Sequence, residues 1–191
     1  MKEKPIIIFL HGMGGAKKDS YIFKKVFSEY IFIPFIYDST LKKSIKELAN
    51  DLQEFISIHI SSKQSFSLVG VSAGGVISEY YIKTKQPKQL THFYSICSPH
   101  KGTYLSKYLW KKREGVQDLF KGSSLLKRLE KLDYPKGIKV GSLYSKYDLL
   151  VPGFSGSNGA SSHTNFPLHW IIHFMPYVAK KAKQFIENDN N

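Results

Sequence analysis

The sequence has one cysteine, few acidic residues and no long apolar run. Cys97 is the single cysteine among 191 residues, which excludes an internal disulfide and fits a reducing compartment. No stretch approaches the roughly 20 apolar residues that a membrane span needs, and the apolar run at 6–10 is too short for a signal-peptide core. These absences predict a cytoplasmic protein.

Acidic residues are outnumbered, with 15 Asp and Glu against 28 Lys and Arg, so the net charge is +13. Such a charge either attracts an anionic partner or only solvates the surface. The lysines are scattered and no RNA- or DNA-binding motif accompanies them, so a nucleic-acid partner is not expected. Peripheral contact with an anionic membrane surface stays open. The apolar content of 42% is typical of globular proteins, and the length predicts a single domain over 1–191.

Short apolar runs alternate with amphipathic segments along the chain. The runs predict strands buried on both faces, as in a parallel sheet covered by helices on both sides. Ser44 and Glu47 form a capping-box pattern at the start of one predicted helix. The predicted strands are 5–10, 31–37, 66–69, 91–97 and 140–147, and the predicted helices are 45–56, 73–83 and one from Pro176 onward.

The segment 101–136 interrupts this alternation because it mixes large apolar side chains with many cations. It predicts one or two amphipathic helices inserted between strands. These helices could form a cap or lid that admits acyl chains at a membrane surface, or an ordinary covering layer packed on the sheet, since an apolar stripe serves either role.

The pentapeptide at 70–74 reads Gly-Val-Ser-Ala-Gly and lies between a predicted strand and a predicted helix. A sharp strand-to-helix turn exposes a serine hydroxyl above the sheet, and small flanking residues relieve the crowding there. The turn also aims the N–H of Ala73 at a developing oxyanion near the helix's positive end. This context predicts that Ser72 is a nucleophile.

With these residues the chain resembles the α/β-hydrolase family, and within it the small lipases and esterases. Four segments carry the resemblance: His-Gly-Met-Gly-Gly at 11–15, the serine turn, Ser-Pro-His-Lys-Gly-Thr at 98–103, and a late acid followed by a histidine. The resemblance implies a minimal α/β-hydrolase fold with five or six mostly parallel strands. The two leading strands of larger members are expected to be absent.

The resemblance also implies an oxyanion hole. Its two donors would be the N–H groups of Met13 and Ala73. Gly12 and Gly14 would let the backbone approach the substrate closely, and His11 would support the loop.

The family order of Ser, acid, then His selects the remaining candidates. Asp148 lies at the end of a predicted strand, where this fold assembles its site. His169 precedes the last predicted helix, although Leu168 stands where the family usually has glycine. His163 and His173 are the alternatives.

These residues predict a serine hydrolase that cleaves carboxylic esters, small or lipid-like, through an acyl-enzyme. No cofactor and no metal are expected, because no third ligand accompanies His169 and His173 at a recognisable spacing. A thioesterase or acyltransferase would use the same triad, and a non-catalytic binding protein on the same fold is a further alternative.

Overall fold

A computed structural model of the chain describes residues 4–104 and 112–188. Its centre is a six-stranded sheet in the order β2-β1-β3-β4-β5-β6, in which every neighbouring pair is parallel. The strands are β1 (Ile6–Leu10), β2 (Ile31–Phe35), β3 (Phe66–Val71), β4 (Leu90–Ile96), β5 (Lys139–Ser145) and β6 (Ala160–Thr164).

Helices cover both faces of this sheet. A 3₁₀ helix at Lys17–Ser20 precedes the first of them. The α-helices are α1 (Tyr21–Val26), α2 (Ile45–His59), α3 (Ala73–Lys85), α4 (Glu114–Asp118), α5 (Ser124–Glu130), α6 (Gly153–Gly156), α7 (His169–Ile172) and α8 (Pro176–Glu187). The helices α2, α3, α4 and α5 bury their apolar sides in one core, and α1 and α8 contribute to the other. The predicted α/β-hydrolase class is therefore confirmed.

The pleat of β1 explains why its apolar run is continuous. Ile6, Ile8 and Leu10 belong to the core under α2 and α3, whereas Ile7 and Phe9 belong to the core under α1 and α8. Successive side chains of a strand point to opposite faces, so a strand between two helical layers needs apolar residues at every position.

The predicted capping box is present at the start of α2. The Ser44 hydroxyl accepts a hydrogen bond from the Glu47 N–H at 3.3 Å, and a Glu47 carboxylate oxygen accepts from the Ser44 N–H at 2.9 Å. Two N–H groups that the helix leaves without internal partners are satisfied in this way.

Several elements differ from the sequence prediction. The strand β6 was not predicted because its five residues, Ala-Ser-Ser-His-Thr, are mostly polar, which an edge strand facing solvent tolerates. The short helices α1 and α7 were also missed. The strands β2 and β5 each end two residues before the predicted limit, at Phe35 and Ser145.

The described part of segment 101–136 packs against the rest of the molecule. Leu125, Leu126 and Leu129 on α5, with Val116 and Leu119, join the core beside α3. The apolar residues Leu105, Tyr108, Leu109 and Trp110 lie outside the described residues. A moving lid therefore stays a prediction. In the described ranges 4–104 and 112–188, no helix is both long and apolar enough to cross a membrane.

Candidate active site

Ser72 occupies a strained turn between β3 and α3. Its φ of 50° and ψ of −121° lie where a non-glycine residue is rarely found. A Cβ on Gly70 would come within 2.6 Å of the Gly75 Cα, and a Cβ on Gly74 within 2.5 Å of the His11 carbonyl oxygen. Glycine is needed at these positions because β3, α3 and the oxyanion loop at 11–15 meet there.

Ser72, His169 and Asp148 form one hydrogen-bonded line. The His169 Nε2 lies 2.9 Å from the Ser72 Oγ, and its Nδ1 lies 2.6 Å from the Asp148 Oδ2. Ser72 and His169 are 97 residues apart in the sequence. The parallel sheet brings them together because its strands all end at this edge. The structure thus brings together the three residues that the sequence selected.

The carboxylate of Asp148 is held by its own turn. Its Oδ1 accepts hydrogen bonds from the N–H groups of Leu150 and Val151 at 2.8 and 2.9 Å. The Asp148 side chain has no solvent exposure. With Oδ1 occupied by the backbone, Oδ2 is left for the imidazole of His169, so the carboxylate orients the ring rather than turning toward solvent.

His169 is the first residue of α7. The helix is anchored by the fully buried Ile172 on the core beneath it. Leu168, which stands where glycine was expected, has φ −91° and ψ 98°. This is ordinary extended backbone that any residue adopts, so the position does not require glycine.

The oxyanion loop passes directly over the serine. A Cβ on Gly12 would lie 3.0 Å from the Ser72 Cβ, so a larger residue would press on the hydroxyl. Gly14, with φ 73°, donates its N–H to the Ser39 carbonyl at 3.0 Å. In the described part of the chain, the N–H groups of Met13 and Ala73 donate no hydrogen bond to protein, which leaves both available for a substrate oxygen.

His11 lies buried beneath this loop. Its Nδ1 is 2.9 Å from the Gly12 carbonyl oxygen, and its ring stacks on Tyr37 at 4.3 Å between centroids. Burial lowers the pKa of His11. The Tyr37 hydroxyl donates to the His11 carbonyl at 2.6 Å. These contacts hold the loop in place.

A pocket of about 320 Å³ opens in front of Ser72 and His169. Its lining is mostly apolar. It includes Val116 and Leu119 from segment 101–136, and Leu150 and Val151 from the turn that follows Asp148. An apolar cavity beside a paired serine and histidine suits an acyl group.

The alternative histidines lie elsewhere. His163 is on the edge strand β6, with its ring 5.9 Å from that of Tyr144. His173 lines the pocket but makes no hydrogen bond to Ser72. Among residues 4–104 and 112–188, no group of three or more metal-ligating side chains occurs.

Sequence reasoning missed a second set of interacting polar groups, and this set is buried. His100 Nε2 lies 2.8 Å from the Ser95 Oγ, and its Nδ1 lies 2.6 Å from a Glu79 carboxylate oxygen. Lys83 pairs with the other Glu79 oxygen at 2.8 Å. The signal was present, because His100 belongs to the Ser-Pro-His segment that resembles the lipases, but its partners lie on different elements.

Cys97 follows β4 and lies behind the acid. Burial, together with the Asp148 carboxylate, raises the pKa of its thiol, so the thiol stays protonated. The residue has φ 47° and donates its N–H to the Leu143 carbonyl at 2.7 Å. Its thiol lies beside Asp148 and hydrogen bonds to that carboxylate.

Residues 5–147 match the palmitoyl protein thioesterase family. The chain belongs to that family. The match contains Ser72 and the oxyanion loop and ends one residue before Asp148. No curated protein matches at a significant level.

Solved structures show the same fold around this palmitoyl-thioesterase-type chain. A metagenomic carboxyl esterase, MGS0156, superposes with a TM-score of 0.78 at 10% identity over 98% of this chain and 77% of its own. The product of lin2722 from Listeria innocua gives 0.69 at 15% identity, covering 97% and 94%. Phospholipase PlaB from Legionella pneumophila gives 0.67 at 18% identity over 75% of this chain, which spans only 38% of PlaB. The predicted likeness to lipases and esterases of the α/β-hydrolase fold is confirmed.

Proposed function

We propose that the chain is a serine hydrolase that cleaves carboxylic esters, with Ser72 as nucleophile, His169 as base and Asp148 as the orienting acid. The observation that carries the proposal is the unbroken line of hydrogen bonds from the Ser72 Oγ to the Asp148 carboxylate, opening into an apolar pocket. Membership of a hydrolase family supports it.

In the proposed reaction, the His169 Nε2 takes the proton of Ser72 while the Oγ attacks the ester carbonyl. Asp148 holds the tautomer that keeps Nε2 unprotonated and stabilises the imidazolium that forms. The oxyanion accepts hydrogen bonds from the N–H groups of Met13 and Ala73. His169 then protonates the leaving alkoxide, and water repeats the sequence on the acyl-enzyme. No cofactor takes part.

The acyl part of the substrate is proposed to be apolar. The pocket is lined by Val116, Leu119, Leu150 and Val151. A hydrocarbon chain bound there moves from water into apolar surroundings, which is favourable. A lipid ester or a small apolar ester fits this lining better than a charged acyl group does.

A thioester substrate is the second candidate, favoured by the match to the palmitoyl protein thioesterase family. The same residues would form the same acyl-enzyme and release a thiol in place of an alcohol. An acyltransferase would differ only in the acceptor, with an alcohol replacing water in the second half of the cycle.

A fluorophosphonate probe, followed by matched substrates, tests the proposal. We expect the probe to label Ser72 in the folded chain, and a Ser72→Ala variant to remain unlabelled. Esters and thioesters with the same acyl group then separate the first candidate from the second through kcat/KM. A folded wild-type chain that neither labels nor turns over any ester or thioester would contradict the proposal and favour a binding protein.

A further inference from the structure

Large apolar side chains that face solvent are concentrated on one edge of the molecule. This edge is formed by the loops after the strands, where Ser72 lies. The edge set, called the rim below, consists of Met13, Tyr104, Leu149, Phe154, Trp170 and Phe174. Two rim members, Met13 and Trp170, also line the pocket, so the rim surrounds the entrance to the candidate site. Exposed apolar residues gathered around a pocket indicate an interaction surface.

Exposed cations outnumber exposed carboxylates around the rim. Lys121 lies 4.9 Å above both the Tyr104 ring and the Phe154 ring, which places these two aromatic residues side by side. Lys17, Lys18 and Lys146 are exposed on the loops after β1 and β5. In the fully described loops after β1, β5 and β6, the two carboxylates, Asp19 and Asp148, are buried, whereas Asp38 in the loop after β2 is exposed.

From this combination we infer that the rim is a docking surface for an anionic lipid bilayer. Aromatic and aliphatic side chains interleaved with lysines suit the boundary between headgroups and acyl chains, where rings insert and ammonium groups contact phosphate. The pocket entrance would then face the bilayer, where apolar acyl groups are located.

The charge pattern argues against a second copy of the chain as the occupant. A twofold dimer through the rim would place the same cationic surface on both sides of the interface. In a chain with a net charge of +13, Asp38 is too little opposite charge to offset the repulsion between two such surfaces. An anionic bilayer supplies the missing opposite charge.

Vesicle sedimentation tests the inference without catalysis, so its failure is distinct from failure of the proposed function. The test uses the 191-residue chain with Ser72→Ala, to prevent turnover, and vesicles of pure phosphatidylglycerol or pure phosphatidylcholine. We expect preferential binding to phosphatidylglycerol that weakens with added salt. Replacing Lys121 and Lys146 with Gln should weaken binding about fivefold for each lysine removed.

The chain offers a closely matched apolar control. Leu149 on the rim is 69% exposed, and Ile58 near the end of α2 is 72% exposed. Leu149→Ser should lower binding about tenfold if its side chain enters the bilayer, whereas Ile58→Ser should leave binding unchanged. Equal effects of the two changes would overturn the inference.

Fluorescence gives an independent readout. The sequence has two tryptophans, so a Trp110→Phe variant leaves Trp170 as the single reporter. Brominated phosphatidylglycerol should quench Trp170 emission. Absent quenching with vesicles bound, or a stable dimer through the rim in the absence of lipid, would count against a bilayer as the occupant.

A second inference rests on a different observation, an imidazole inside the pocket. Of the hydroxyl and imidazole groups lining it, Ser72 and His169 bond each other and Thr103 donates to the Leu150 carbonyl at 2.5 Å. His173 makes no hydrogen bond within the described residues, and its ring packs on Phe174 at 4.1 Å. His173 is half-buried in the pocket wall, so its ring nitrogens are available to a bound substrate.

The position of His173 indicates which part of the substrate its ring would contact. His173 follows His169 by four residues, so the two side chains lie one above the other on the same face of the turn. His169 is proposed to protonate the leaving group. We propose that His173 determines specificity by hydrogen bonding to a polar group on the alcohol or thiol side of the scissile bond, an inference that rests on the proposed function.

Burial supports the form of imidazole that this role requires. It lowers the pKa of His173, against the opposing effect of Asp19 and with the help of His169 and His11. The neutral ring has one N–H donor and one acceptor nitrogen, so it can pair with an amide or a hydroxyl.

Two esters with the same acyl group test this role. One carries N-acetylethanolamine as leaving group, and the other carries an alkanol of the same length. We expect wild type to prefer the amide-bearing ester about five- to tenfold in kcat/KM. His173→Phe should abolish the preference while keeping turnover of the alkanol ester, and His173→Gln should retain part of it.

His163→Phe, on the exposed strand β6, is the matched control and should keep the wild-type ratio. A ratio unchanged in His173→Phe would overturn the inference. Turnover of the alkanol ester by wild type reports separately on the proposed function.

Discussion

The molecule contains two arrays of serine, histidine and carboxylate with nearly the same internal distances. In the first, 2.9 Å separates serine from imidazole and 2.6 Å separates imidazole from carboxylate; in the second, Ser95–His100–Glu79, the distances are 2.8 and 2.6 Å. The first opens into a pocket, whereas the three side chains of the second are buried. Hydrogen-bond geometry alone therefore does not distinguish a candidate catalytic centre from a structural one.

What differs is the backbone at the serine and the groups facing it. Ser72 lies on a strained turn close to the N–H groups of Met13 and Ala73, which have no acceptor among the described residues. Ser95 lies within β4, paired with Gly70 and Ser142 of the neighbouring strands, and has no solvent exposure. A nucleophile needs access and a site for the oxyanion, and a serine in the middle of a sheet has neither.

Replacing the serine of each array should give the largest difference in effect between the two arrays. Ser72→Ala is expected to lower kcat for ester hydrolysis by about 10⁶-fold, the size of the loss when a serine protease loses its nucleophile. Ser95→Ala should leave kcat unchanged and cost about 1 kcal/mol of unfolding free energy through one lost buried hydrogen bond. Ester turnover and urea denaturation measure the two effects. A large kcat loss in Ser95→Ala would contradict the comparison.

The carboxylates provide the next largest contrast. Asp148→Asn should lower kcat by about 10⁴-fold, because an amide in this position favours the wrong imidazole tautomer. Glu79→Gln should leave kcat unchanged for each folded molecule, since Glu79 bonds to His100 and Lys83, and neither of these lines the pocket. Normalising turnover to fluorophosphonate-labelled protein keeps folding losses out of the comparison. Equal losses in the two variants would mean that the buried array acts on the chemistry.

A smaller effect is expected at Gly12, the residue of the oxyanion loop that lies against Ser72. Gly12→Ala places a Cβ 3.0 Å from the Ser72 Cβ, so the oxyanion loop must shift by a few tenths of an ångström. We expect kcat to fall about 10²-fold with KM little changed, because the Met13 N–H would be displaced from the oxyanion. Steady-state kinetics on one ester would show it. Unaltered kcat would imply that the loop does not supply a donor.

Sequence reasoning succeeded where the interactions are local and failed where they join distant parts of the chain. Ser72 and the Ser44 cap depend on residues within a few positions, so local patterns were enough to predict both structures. The strand β6 could not be predicted, because its polar residues are set by an edge position that only tertiary structure defines. The association of His100 with Glu79, 21 residues away, left no periodic signal.

The histidines show the same limit within the candidate site. His169 and His173 are four residues apart, and spacing alone does not say which one faces the serine. The structure distinguishes them because α7 begins at His169, after extended backbone at Leu168, and is anchored by Ile172. Resemblance to the hydrolases selected His169, and its contact with Ser72 depends on packing of a helix too short to be predicted.

The smallest predicted effect is a difference in pH dependence of stability. Burial alone would raise the pKa of Glu79, but His100 and Lys83 outweigh it, and the pKa lies below its ordinary value of 4.5. A carboxyl with a lowered folded-state pKa contributes stability that is present above its unfolded pKa and is lost as pH falls through the folded value. The unfolding free energy of wild type should therefore decrease as pH falls below about 4.5.

Glu79→Gln removes that titration and leaves Lys83 without its carboxylate, so the variant should be less stable than wild type at neutral pH. The gap between the two proteins should narrow toward acid pH, because wild type then loses the same charge. Urea denaturation of both proteins across this range measures the gap. A constant gap would mean that the charges of His100 and Lys83 do not stabilise the Glu79 carboxylate as the distances indicate. The two arrays would then be alike in geometry but not in electrostatics.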